Sequence, residues 1–264
     1  MHSNEKWHNL GWRHPLWDLL RFYLSIRSQK LKEQFKRDLK TKNIISIDEE
    51  KKYPVSSELA NQLLEYIVDR DTLSQYASSL LRTEKDALKF CEANKFSVKK
   101  TTTKNQEHHQ SSKAMISAVS EIATKVCLTK SCELDANPSK RCVWFFNNTL
   151  HVSARNLDGA IPSLANPFIV WEIKEYWGKT KGGSKMSDAV YECHLVGLEL
   201  RDYEERSNKK IIHVVFLDGK HQWQHRVSDL KRFIDLLNQG FIDYLIVGQE
   251  VEEEWEKFLL KTLD

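Results

Sequence analysis

Residues 156–177 read NLDGAIPSLANPFIVWEIKEYW, and the second half of that stretch decides the fold. From Pro167 to Trp177 it is dense in β-branched and aromatic residues, which predicts a strand. Side chains alternate between the two faces of a strand, so Glu172 and Lys174 share one face while Trp171 and Ile173 point the other way, into a core. The run is too apolar for an exposed strand. An acid and a base side by side on a buried strand are costly unless the pair has a task. Asp158 stands 14 positions before Glu172, and Gly159, Pro162, Asn166 and Pro167 supply a turn able to bring it back beside Glu172. Asp135 or another acid takes that place if the connection folds differently.

Working outward, KAMISAVSEIATKVCL upstream is an amphipathic helix, and CVWFF and TLHVSA are strand-like, with Asn147-Asn148 as a hairpin turn. Downstream, SDAVYECHLVGLELRDYEER is a helix capped by Ser187 or Asp188. KIIHVVFLDG reads as a strand buried on both faces, VSDLKRFIDLLNQ as a helix, FIDYLIVG as a strand and VEEEWEKFLLKTL as a closing helix. Strands alternating with helices predict an α/β core with a mixed central sheet flanked by helices. The N-terminal part is mainly helical: Leu16 to Lys40, SSELANQLLEYIVDR with Ser56 or Ser57 at its cap, and SQYASSLLRTEKDALKFCEAN. The polar, aperiodic KKTTTKNQEHHQSS between Val98 and Lys113 marks a boundary, giving a mainly helical region over 1–110 and an α/β core over 111–264.

The 264 residues are 41% hydrophobic and 29% charged, a globular composition. Lys+Arg (40) and Asp+Glu (37) nearly balance, so the net charge of +3 does not announce a nucleic-acid partner. No apolar run approaches the roughly 20 residues that span a bilayer, and the first residues lack the pattern of a secretory signal. No membrane partner is expected. Five scattered cysteines read as reduced thiols of a cytoplasmic protein. Cys127, Cys132, Cys142 and His151 have the wrong spacing for a strong zinc motif. No G-x-x-x-x-G-K-[ST] loop occurs, which removes the P-loop ATPases.

Asp158, Glu172 and Lys174 suit phosphodiester hydrolysis. A hard divalent cation, Mg²⁺ with Mn²⁺ able to substitute, wants oxygen ligands, here the two carboxylates and the backbone carbonyl of Ile173. It polarises the phosphoryl group and eases deprotonation of water. Lys174 orients that water and neutralises charge developing on the phosphate. Glu-x-Lys also occurs harmlessly on surface strands. A two-carboxylate glycosidase leaves the lysine without a role.

Asp158 followed, after a Pro-containing connection, by Glu172-Ile173-Lys174 resembles the PD-(D/E)XK nuclease superfamily, home of many type II restriction endonucleases. The order helix, strands, Asp strand, Glu-x-Lys strand, helix, strand over roughly residues 113–220 is similar to that fold's common core. Leu157 stands where the family name leads one to expect proline. The resemblance implies a restriction-endonuclease-like core and a catalytic trio of Asp158, Glu172 and Lys174. It also implies hydrolysis to 5′-phosphate and 3′-hydroxyl ends, and a further metal ligand at Glu121 on the preceding helix. Size, the missing P-loop and the extra helical region favour a type II restriction enzyme of a prokaryotic cytoplasm, cutting double-stranded DNA as a homodimer. The alternatives are a repair or phage-defence nuclease reading DNA structure, and an inactive DNA-binding protein of nuclease-like fold.

Candidate DNA contacts lie downstream. Lys179, Lys181 and Lys185, around Gly182-Gly183 and a helix start, suit a phosphate or form an ordinary solvated loop. His221, Gln222, Gln224 and Arg226 mix the side chains that meet phosphates and base edges. Tyr191 and Glu192 lie within reach of the trio if their helix face turns inward. The basic stretch Arg27, Lys30, Lys32, Lys36, Arg37 and Lys40 is interleaved with Glu33 and Asp38, as on a solvated helix.

Overall fold

The computed structural model describes residues 5–46, 48, 50–99, 112–136, 138–178 and 184–263. The N-terminal part consists of α1 (Glu5–His8), α2 (Leu16–Ser25), α3 (Gln29–Lys42), a small antiparallel pair β1 (Ile44–Ser46) and β2 (Lys52–Pro54), α4 (Ser57–Leu80) and α5 (Glu84–Ala93). The expected helix over Leu16–Lys40 breaks at Ile26–Ser28, because the Ser28 hydroxyl accepts from the Leu31 N–H and starts a new helix. The Ser56 cap forms as expected, accepting from Leu59 N–H. The helix it starts runs on to Leu80, with neither Pro nor Gly to stop it. The break comes instead at Leu81–Thr83, where Thr83 and Asp86 form a reciprocal capping box.

The remaining chain gives α6 (Ala114–Thr129), β3 (Asp135–Ala136), β4 (Arg141–Phe146), β5 (Thr149–Asn156), β6 (Gly159–Ile161), β7 (Ile169–Glu175), α7 (Ser184–Ser207) and β8 (Ile212–Asp218). These are followed by α8 (Lys220–His225), α9 (Val227–Gln239), β9 (Tyr244–Val247), a 3-10 turn (Gly248–Glu252) and α10 (Glu254–Thr262). A mixed five-stranded sheet of order β3-β6-β7-β8-β9 forms the centre, antiparallel from β3 to β7 and parallel from β7 to β9. The α/β class with a helix-flanked mixed sheet is as expected.

The hairpin forms where the sequence places it. Asn147 and Asn148 both adopt positive φ, 48° and 60°, and join β4 to β5 as the sequence suggests. The pair forms a separate two-stranded sheet rather than joining the centre. Its inner face, with Cys142 and Trp144, packs on Val196, Leu200 and Tyr203 of α7. That docking carries the end of β5 toward the middle of β7.

Two cores sandwich the sheet. Trp171 and Ile173 pack with Val119, Ile122 and Val126 of α6 and with Trp255 of α10. On the other side Val215 and Leu217 of β8 meet Ala189 and Val190 of α7 and Phe233 of α9. Leu80 and Leu81 belong to this second core, and Arg82 forms a buried ion pair with Asp218, so the end of α4 is built into the sheet layer. A further cluster around Trp7, Trp17, Leu39 and Tyr66 closes the N-terminal helices. Among the described residues no helix is long and apolar enough to cross a membrane.

Candidate active site

β7 alternates as its sequence requires. Trp171 and Ile173 enter the α6 side, so Glu172 and Lys174 face α7. Gly159 is required where β6 begins, because any Cβ there would sit 1.8 Å from the Trp171 ring. Asp158 immediately precedes it. Its N–H donates to the Trp171 carbonyl (3.0 Å), and its Oδ2 accepts from the Ile173 N–H (2.7 Å). Both bonds turn the Trp171 carbonyl and the Ile173 N–H toward β6. The β6 pairing ends at Gly159 opposite Trp171, so Asp158 meets β7 just past the end of β6.

Asp158, Glu172 and Lys174 therefore converge, and Asp135 does not join them. Its Oδ2 accepts from Leu164 N–H at 2.8 Å and fixes the β6–β7 connection. Lys174 Nζ lies 2.9 Å from Glu172 Oε2 and 2.8 Å from Glu192 Oε2. Glu172 is 1% exposed and Lys174 4%. Burial alone would push the Glu172 carboxyl up, but Lys174, His213 and Arg155 outweigh it and hold the carboxyl well below the usual range. Burial alone would lower Lys174, but Glu172 keeps its ammonium charged far beyond neutrality. Burial raises Asp158 despite the Ile173 N–H that favours its charged form.

Three further residues complete the cluster. Arg155, carried in by β5, pairs with Glu192 and lies 3.6 Å from Glu172 Oε2. Glu192, which α7 does turn inward, is held below its ordinary pKa by Lys174 and Arg155 against the opposing effect of burial. His213 of β8 is completely buried; its Nδ1 donates to the Phe241 carbonyl at 2.9 Å, leaving Nε2 facing Glu172 Oε1 at 3.4 Å. Neither of those facing atoms has a hydrogen-bond partner. His213 was visible in principle as the one basic residue inside the apolar run IIHVVFLDG. Arg155 had no local signal, because its position depends on how the hairpin docks.

The other expected site residues are dispersed. Glu121 is exposed on α6, whose buried residues cover the opposite sheet face, and it does not meet the trio. Lys179 and Lys181 lie outside the described residues, while Lys185 is exposed on the first turn of α7. His221 is exposed and stacks on His225, and Gln224 is exposed beside it. Gln222 is buried and donates to the Gly178 carbonyl. Arg226 is engaged by Asp229 and Ser187. Tyr191 is exposed beneath the Arg232 guanidinium. Cys142 bonds through its backbone to Ser153 in the hairpin and His151 stacks on Trp144, while Cys127 and Cys132 stand at the end of α6, so these four do not form a zinc set.

The Asp158 and Glu172 carboxylates are the oxygen donors that the trio brings to the site. Glu172 Oε1, with no hydrogen-bond partner, retains a lone pair for a cation. These residues fit a hard divalent ion that keeps much of its water. Among the described residues no group of three or more His, Cys, Asp or Glu side chains is arranged to hold a metal.

A family model described as Domain of unknown function (DUF7687) matches residues 74–262, and the chain belongs to that family. The matched span contains every member of the cluster. No curated protein and no solved structure matches the chain.

Proposed function

We propose that this chain is a divalent-metal-dependent deoxyribonuclease with a PD-(D/E)XK-type site. The observation that carries the reading is the convergence of Asp158, at the start of β6, with Glu172 and Lys174 on β7, linked by the Ile173 N–H. The succession α6, β3, β6, β7, α7, β8 around it supports the same reading.

Asp158, Glu172 and the Ile173 carbonyl would hold Mg²⁺, or Mn²⁺ in its place. When bound, the ion supplies Lewis-acid polarisation of a phosphoryl oxygen and makes water a stronger acid. Asp158 is fixed in orientation by the Ile173 N–H, so its second oxygen is directed without loss of side-chain freedom on binding. Against the effect of burial, Glu172 beside Lys174 raises its pKa, which favours the charged ammonium. Its ammonium positions the attacking water by hydrogen bonding and offsets charge on the phosphate.

The finer proposal is a type II restriction endonuclease cutting double-stranded DNA as a homodimer. One observation favours the alternative of an inactive DNA-binding protein of nuclease-like fold, namely the near-complete burial of Glu172 and Lys174. Incubation of plasmid and phage DNA with Mg²⁺ or with EDTA separates the readings. Discrete bands that require Mg²⁺ support the restriction enzyme, and a metal-dependent smear moves the assignment to a structure-directed nuclease. DNA binding without cleavage under Mg²⁺ or Mn²⁺ sinks the nuclease reading.

A further inference from the structure

Lys174 and Arg155 are two cations aimed at the same carboxylates. Each approaches Glu172 Oε2, at 2.9 Å and 3.6 Å, and each also pairs with Glu192 Oε2. The two carboxylates differ in one respect. Glu172 is 1% exposed and fixed in the middle of β7, whereas the Glu192 side chain is 41% exposed on α7. The Arg155 side chain is 31% exposed, so the cluster meets solvent through Arg155 and Glu192.

We propose that Arg155 and Lys174 form a phosphate-binding subsite that the Glu192 carboxylate occupies as an internal stand-in. An incoming phosphate displaces that carboxylate. Carboxylate and phosphate oxygens make the same charge-assisted hydrogen bonds, and a guanidinium fork matches phosphate better than it matches one carboxylate oxygen. Arg155 Nε is buried without a hydrogen-bond partner, so the fork keeps a donor that Glu192 does not use. Displacement costs little desolvation, because the half-exposed Glu192 swings into water. Glu172 stays in place, so the two cations keep one counter-charge throughout. The inference deepens the nuclease reading by naming what admits the scissile phosphate. It assigns Glu192 a regulatory part, that of keeping Lys174 engaged until substrate arrives.

The test is calorimetric titration of the full chain with inorganic phosphate, in EDTA and at constant ionic strength set with chloride. Glu192→Gln keeps the size of the side chain and removes its charge, and is expected to bind phosphate about tenfold more tightly than the unaltered chain. Arg155→Gln in the Glu192→Gln background is expected to abolish that gain. Should Glu192→Gln fail to fold, Glu192→Ala is read in its place. Equal phosphate affinity in the unaltered and Glu192 variants, both folded, overturns the proposal. So does a gain that survives Arg155→Gln. Neither metal nor DNA is present, so the two readings fail separately. A chain that binds phosphate in this pattern but cuts nothing keeps the subsite and loses the nuclease. One that cuts DNA while its Glu192 variants show no gain does the reverse.

Discussion

Arg70–Asp235 and Lys174–Glu172 are both buried ion pairs on polar side chains that the surrounding core would otherwise exclude, yet they are finished differently. Arg70 grips Asp235 in a bidentate fork, 2.6 and 2.7 Å, and Tyr66 adds a hydroxyl donor at 2.9 Å, joining α4 to α9. No buried polar atom of that trio lacks a partner. Around Glu172, by contrast, Glu172 Oε1, His213 Nε2 and Arg155 Nε all lack hydrogen-bond partners. A saturated pair specifies packing. An unsaturated one carries a free-energy cost, which is what the proposed site would require.

The largest effect is expected at Asp235. Asp235→Ala leaves the Arg70 guanidinium buried and unpaired, and is expected to cost about 3–5 kcal/mol in urea unfolding. A loss below about 1 kcal/mol would mean that α4 and α9 are held by apolar contacts alone. The reverse experiment acts on the site. Glu172→Leu combined with Lys174→Met replaces the unsaturated pair by apolar groups and is expected to raise stability by about 1–4 kcal/mol while abolishing any activity. Destabilisation by that double variant would class the pair with Arg70–Asp235.

A smaller effect sharpens the same contrast through pH. Burial would push the Asp243 carboxyl up, but Arg201 and Lys210 outweigh it and hold its pKa below the ordinary 3.8. A carboxylate depressed in the folded state adds stability that is complete above the unfolded value and is lost as pH falls through the folded one. Asp243→Asn is therefore expected to cost on the order of 1 kcal/mol at pH 7 and to flatten the acid side of the stability profile. An unchanged acid limb would show that Asp243 is not a principal source of acid sensitivity.

Where a feature was set by local pattern, the sequence announced it. The alternation of Trp171, Glu172, Ile173 and Lys174, the Asn147-Asn148 turn and the Ser56 cap all depend on neighbours in the chain. Features set by docking were hidden. The β4–β5 hairpin packs Cys142 and Trp144 on Leu200 and Tyr203 of α7, outside the central sheet, and the end of β5 carries Arg155 to Glu172. The two-residue β3 is too short for periodicity to register, and the helix break at Leu81–Thr83 is fixed partly by Asp218, which accepts from the Arg82 N–H across 136 positions. The expectation for Glu121 rested on resemblance, and the α6 register turns that residue to solvent.

The most direct test of the central claim is single-turnover cleavage of supercoiled plasmid in Mg²⁺ by the unaltered chain and by Glu172→Ala and Lys174→Ala, with folding of each checked by circular dichroism. Metal-dependent cutting by the first and a fall of about 100-fold or more in both folded variants are expected. Cutting by either variant at close to the unaltered rate would contradict the claim, as would an unaltered chain that leaves the plasmid intact.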